Sequence, residues 1–439
     1  MNRFYRTVFN ARLGQYQVAS ELACSRGSQP AITSRVGLGC GLALAIACGV
    51  GSPLVGAAPM HGQDDSLTIV NGSVLFWDGA QLVGNGAIQG GNGTWDTMST
   101  NWTTVDGTGN RDWNSDFAVF QAAAGDVLVD GTQSITGMQF VTDGYRLLNG
   151  MSGALALVNG TNGSTTVRVD PGVTATVNVA LTGNGLLSKV DSGTLVLGGS
   201  NSYSGGTALS GGTLAVGNNA ALGSGALTAT GTSTLKNTQS VALMNAIAVN
   251  GDLTLDTASN LTLGGLISGT GNLIKAGAQE LMVLGNNTFS GTLDITQGMV
   301  TSLSANALGN LASVNLGSGT DLNLNGNTTI GTLTGSGTTS IALGSTLSLG
   351  GNNLDSVYAG TFGGNGGLRK VGNGVLELSG ISSLGGTSQV NAGTLKVSGS
   401  LNGGSLTVSN GATLTGSGSL GGVSVSPTAG TWSVPAVPS

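Results

Sequence analysis

Few residues in this chain are equipped for chemistry. The one histidine, His61, stands beside Gln63, Asp64 and Asp65. A Ser-His-Asp relay needs an imidazole fixed between nucleophile and carboxylate, and no G-x-S-x-G elbow accompanies this one. Asp106, Asp112, Asp116, Asp126 and Asp130 form the densest carboxylate set. Glycoside cleavage needs two carboxyl groups about 5–10 Å apart. Aspartate is also a default turn residue, and the turn reading is preferred here. Asp112-x-Asn114-x-Asp116 offers alternating oxygens but lacks the glycine and distal glutamate of an EF-hand loop. Gly317-x-Gly319-x-Asp321-Leu322 matches half of a calcium-binding nonapeptide, which works only in stacked copies. All three cysteines, Cys24, Cys40 and Cys48, fall in the first 50 residues, which leaves no zinc ligand set beyond them. No catalytic, cofactor-binding or metal residue is assigned, and no cofactor is expected.

The elements that would have to position a site are repeats. Gly185 to Gly217 contains Lys189, the run Thr194-Leu195-Val196-Leu197, the turn residues Asn201 and Tyr203, and Thr213-Leu214-Ala215-Val216. The pattern returns at Gly271 with Lys275, Leu281–Leu284, Asn287-Thr-Phe289 and Val300. It returns again at Gly367 with Lys370, Val375–Leu378 and Gly393–Val397. The skeleton is G-x-L-x-K, then an apolar alternating run, a turn, and G-x-L-x-V. Repetition at this scale decides the architecture. The three lysines read as solvated positions beside a turn.

Composition agrees. The chain holds 79 glycines in 439 residues and is only 8% charged, so neither collagen periodicity nor a charged disordered tract fits. Valine, leucine and isoleucine alternate with threonine, serine and asparagine, the mark of strands with one buried face. No proline occurs between residues 172 and 426, as uninterrupted sheet requires. Five of the fourteen basic residues lie in the first 35 positions; the remainder carries nine basic and nineteen acidic side chains. That balance offers no basic stripe for nucleic acid.

Residues 1–58 read as an export leader, with Arg26 and Arg35 as flank, an apolar core from Val36 to Val50, and Gly56-Ala57-Ala58 as the cleavage region, Ala58 being the expected last leader residue. The core is too short and glycine-rich for a membrane span. Residues 59–150 hold four of the five tryptophans, Trp77, Trp95, Trp102 and Trp113. A stack of coils exposes an apolar end that must be covered, so this segment reads as an aromatic-rich cap and first coils. The alternative is an aromatic platform for carbohydrate. Residues 151–426 are the repetitive body, with copies near 185–217, 271–300 and 367–397, and 427–439 form a proline-containing tail.

Two features carry a family resemblance. Met1-Asn2-Arg3, Tyr5-Arg6, Phe9-Asn10, Leu13-Gly14 and Val18-Ala-Ser-Glu-Leu-Ala23 resemble the extended signal peptide region of autotransporter and two-partner secretion proteins, with Phe9 and Tyr16 where tryptophan is usual. The repeats resemble the autotransporter-associated β-strand repeat. The resemblance implies a right-handed parallel β-helix, export through the inner membrane, and a non-enzymatic, adhesin-like surface module; without a translocator the chain would stop in the periplasm. Its implied partners are surface glycans, proteins or further copies of itself. It also implies an outer-membrane translocator barrel; after Pro427 only a short tail follows, so the barrel is expected outside this chain, or the gene is broken. A polysaccharide-directed enzyme is the alternative. The whole reading is an all-β solenoid of about 20–25 residues per coil, on the order of 16 coils and roughly 75–80 Å long, preceded by a helical or disordered leader.

Overall fold

The computed structural model describes strands Tyr5–Asn10 and Gln15–Ser20, residues 74–309 and 313–421, and the backbone of Ser424–Pro427 and Thr431–Ser433. Ala58, His61 and most of the tail lie outside the described residues. The first 51 residues and the remainder form separate units. In the first, Tyr5–Asn10 pairs antiparallel with Gln15–Ser20. Here the structure departs from a helical or disordered leader. The physical reason is composition: Tyr5, Thr7, Val8, Phe9, Tyr16 and Val18 are aromatic or β-branched, types that favour strands.

The second unit is a parallel β-solenoid. Its longest sheet has seventeen strands, from Gly93–Trp95 to Thr431–Ser433. It is an open stack: the first strand pairs only with Asp126–Val129 and the last only with Thr413–Thr415. Successive coils advance by about twenty residues, as the register Thr174↔Thr194, Thr194↔Thr213, Thr213↔Thr234 and Thr234↔Thr254 shows. A second face runs from Val74–Trp77 to Ile267–Ser268 and resumes from Thr328–Ile330 to Ser424–Pro427. A third face is built in stretches, the longest from Val241–Leu243 to Thr361–Gly363. In chain order a full coil visits second face, long sheet, third face, then climbs one rung; several coils lack a strand on the second or the third face. At about 4.8 Å per rung the long sheet is roughly 75–80 Å tall.

Alternation sets which side chains go in. In Thr194–Leu197, Leu195 and Leu197 are buried while Thr194 and Val196 face outward. In-register neighbours repeat this phase, so Ala175, Leu195, Leu214, Leu235 and Leu255 form one inward column. The columns merge into a continuous apolar core from Leu75 to Leu414. Corners need backbone that side chains resist. Gly269 has φ +105°, and a Cβ there would meet the Val249 carbonyl oxygen at 2.1 Å.

The N-terminal coils differ. Trp102–Thr103 pairs antiparallel with Val74–Trp77, the one antiparallel pair among the described strands of this unit. Trp77, Trp95, Trp102, Trp113 and Phe120 pack at centroid distances of 4.5 to 6.4 Å. All five are buried. Rings buried in this way present no face to a sugar.

Candidate functional site: the buried lysine corners

Each repeat opens on a strand whose third alternating position is lysine. In Leu187–Val190, Leu187 points in, Ser188 out, and Lys189 in. Its in-register neighbours are Val167 below and Leu209 above. Lys275 lies between Leu255 and Ile295, and Lys370 between Leu349 and Val390. The three are 0%, 0% and 1% exposed. The solvated reading is therefore corrected: these lysines stand beside a turn, but inside the core. Period-two phase put them there, and the corner carbonyls make the burial tolerable.

The hydrogen bonding is the same in all three copies. Lys189 Nζ donates to the carbonyls of Val190 (2.9 Å), Asp191 (2.7 Å) and Gly211 (3.3 Å). Lys275 Nζ donates to Ala276 (3.1 Å), Gly277 (2.7 Å) and Gln297 (2.9 Å). Lys370 Nζ donates to Val371 (2.7 Å), Gly372 (2.8 Å) and Ala392 (3.2 Å). Two acceptors belong to the lysine's own corner and the third to the next coil. An ammonium has three donors, and all are used. The copies do not share a face. Lys189 and Lys370 lie on the second face, but Lys275 lies on the long sheet. The repeat thus specifies a corner and builds it on two different faces.

The turn residues complete the corner. Asn201 Oδ1 accepts from Leu181 N (2.8 Å), and its Nδ2 donates to Ala221 O (2.7 Å). Asn287 does the same with Ile267 N and Ala307 O, each at 2.6 Å. In the third copy Ser382 Oγ accepts from Phe362 N at 3.1 Å. Tyr203, at the same turn, is buried with its hydroxyl 2.6 Å from Thr207 Oγ1. Exposed corners use a related device: Asn159, Asn272 and Asp355 accept from Leu186, Thr292 and Val375 N on the next rung. The recurring asparagines form ladders, but to backbone, not to each other.

Burial pushes the Lys189 and Lys275 amines down to about 8, and Lys370 downward as well. Burial pushes the Tyr145, Tyr203 and Tyr358 hydroxyls up to about 12. The lysines cost stability while the folded amine is charged, and that cost is relieved as pH rises from about 8 towards 10.5. The tyrosines contribute stability that is complete below pH 10 and lost towards 12. Urea midpoints are therefore expected to rise from pH 7.5 to about 10 and fall beyond it, and the rising limb to vanish in a triple Lys→Met chain at 189, 275 and 370. A midpoint that is flat from 7.5 to 10 in the unaltered chain would count against this account.

Most of the other sequence candidates serve local structure. Asp116 pairs with Arg111 (2.8 Å) and Asp126 with Arg146 (3.5 Å). Asp130 Oδ1 accepts from Met151 N. Hydrogen bonds from Thr104 and Thr108 hold the exposed Asp106 carboxyl down at about 2. Asp321 faces Met299 and Thr338 on neighbouring rungs. Among the described residues no three metal-ligating side chains cluster.

Known proteins place these features. Residues 1–50 match the extended signal peptide of the type V secretion system. Residues 187–216, 273–301 and 368–397 match the passenger-associated-transport-repeat. The chain carries the signal region and the repeats of an autotransporter passenger. Each matched copy begins two residues before a buried lysine. A relative, the adhesin BmaC autotransporter of Brucella suis biovar 1 (strain 1330), is 36% identical over 245 residues, covering 51% of this chain and 7% of its own. The passenger thus spans a small fraction of that relative's length. No solved structure matches it. The signal region and the autotransporter relative together support export through the inner membrane and a surface or extracellular location.

Proposed function

We propose that the passenger is a non-enzymatic, adhesin-like rod, displayed by a translocator barrel, that contacts surface glycans or proteins, or other copies of itself, over many rungs. The observation that supports it most is the resemblance over half of the chain to an adhesin autotransporter. The outer surface suits shallow, repeated contacts. Thr174, Thr194, Thr213, Thr234 and Thr254 stand in register on the outside of the long sheet. Their spacing of about 4.8 Å gives a regular line of hydroxyls. Weak contacts repeated along such a line gain by multivalency.

Charge narrows the partner. Lys189, Lys275 and Lys370 are buried, and Arg111, Arg146, Arg168, Lys236 and Lys396 pair with carboxylates. A polyanion finds few cations here, so a neutral ligand fits better. The chain fused to a surface-display translocator is expected to raise adherence of the host bacterium to epithelial monolayers or to clump it. Absence of both, together with release of reducing ends from a polysaccharide panel, would favour the enzyme instead.

A further inference from the structure

We infer that the lysine of each repeat locks its own coil and the following coil into one opening unit, so that the passenger opens in pairs of coils at 187–216, 273–301 and 368–397. The bonding pattern carries this. In every copy Nζ reaches one and two residues ahead within its own corner, and then 22 residues ahead into the next coil, at Gly211, Gln297 or Ala392. The same three bonds are made on two different faces. They therefore belong to the repeat and not to one local environment.

Consider Lys275. If the next coil opens alone, the ammonium loses the Gln297 carbonyl and the cover of Ile295, while Leu255 still lies beneath it. If its own coil opens alone, the Gln297 carbonyl loses its charged donor. Both partial states leave a strongly polar group without its partner, and opening the two coils together avoids both. Coils 232–237 and 252–257 offer a contrast. Beyond the backbone ladder they are joined by Lys236 and Asp256, a pair that is 41% and 30% exposed and so contributes little, and by the neutral amide of buried Asn237, which donates to Ser259 O (2.8 Å) and Asn260 O (3.2 Å). With a neutral donor in place of a buried ammonium, such coils have a weaker reason to open as a pair.

The test uses the full chain under native conditions. Amines are acylated with an N-hydroxysuccinimidyl ester while backbone amides exchange in deuterated buffer, both read by mass spectrometry. Lys236 and Lys396 are expected to label rapidly. Lys275 is expected to label with the same opening constant that governs amides in both 272–277 and 292–297, since each reports the open population. Lys275→Met is expected to speed exchange across 272–297 by roughly 10- to 100-fold, the equivalent of one lost charged hydrogen bond, and to leave 187–211 and 368–392 unchanged. Labelling of Lys275 faster than exchange of 292–297 would overturn the proposal, as would unchanged exchange there in the variant. The comparison in the unaltered chain decides the matter even if Lys275→Met does not fold.

Discussion

Trp102→Ala is expected to lower the stability of the N-terminal coils by about 3–5 kcal/mol, the usual cost of emptying a large aromatic site. Trp102 is fully buried and meets Trp113 at 4.5 Å, Trp95 at 4.8 Å, Trp77 at 5.2 Å and Phe120 at 5.7 Å between ring centroids. Its indole nitrogen makes no hydrogen bond, so the loss is one of packing and of the cavity left behind. It also sits on the short strand that pairs antiparallel with Val74–Trp77. Opening that strand uncovers the first rung of the core. In a solenoid, stability is close to a sum of coil and interface terms, so the damage should stay at this end. Urea unfolding followed by tryptophan emission should show an early transition, while far-UV circular dichroism shows the later coils melting as before. Trp102→Phe should recover most of the loss, and truncation of the exposed Met98 should change stability by no more than about 0.5 kcal/mol. A single unshifted transition for Trp102→Ala would mean that the ring cluster does not close the stack. The same burial disposes of the sugar platform considered for these tryptophans.

Much of this molecule is legible in the chain because a solenoid is written locally. Alternation in Thr194–Leu197 or Asp321–Leu324 names strand and buried face together. The glycine, asparagine and threonine between runs name corners. The shift from tryptophan-rich to tryptophan-poor sequence marks the special first coils. Three things are not read from the sequence, for different reasons. Lysine burial was available: Leu187-x-Lys189, Leu273-x-Lys275 and Leu368-x-Lys370 keep inward phase. Reading the lysines by residue type instead of by phase sent them to solvent. Face assignment was not available, because all three corners of the coil accept the same short strands and turns. Nothing in the middle copy announces that its lysine lies on the long sheet. The equivalence of Ser382 with Asn201 and Asn287 also needed the rungs on either side, since a lone serine in a turn has many uses.

Asn287→Ala is expected to cost about 2–6 kcal/mol, although it removes only a small polar side chain. Asn287 is 1% exposed. It joins three coils, accepting from Ile267 N below and donating to Ala307 O above. Alanine leaves a buried amide and a buried carbonyl without these partners, at about 1–3 kcal/mol each. Asn201 holds the equivalent position in the first repeat, and Asn201→Ala should behave alike. The third repeat suggests a graded series, because Ser382 supplies the acceptor alone. Asn287→Ser should therefore be milder than alanine. Asn287→Asp keeps an acceptor for the Ile267 amide but sets a carboxylate against the Ala307 carbonyl in a dry core, where an unpaired charge is costly. It should be at least as damaging as alanine at pH 7, and should recover in acid as the carboxyl protonates and regains a donor. Urea midpoints for the three variants at pH 7 and pH 5 give the order directly. If aspartate proved as well tolerated as serine at pH 7, water would have to reach this corner, and the bridging role of the asparagine would fall with it.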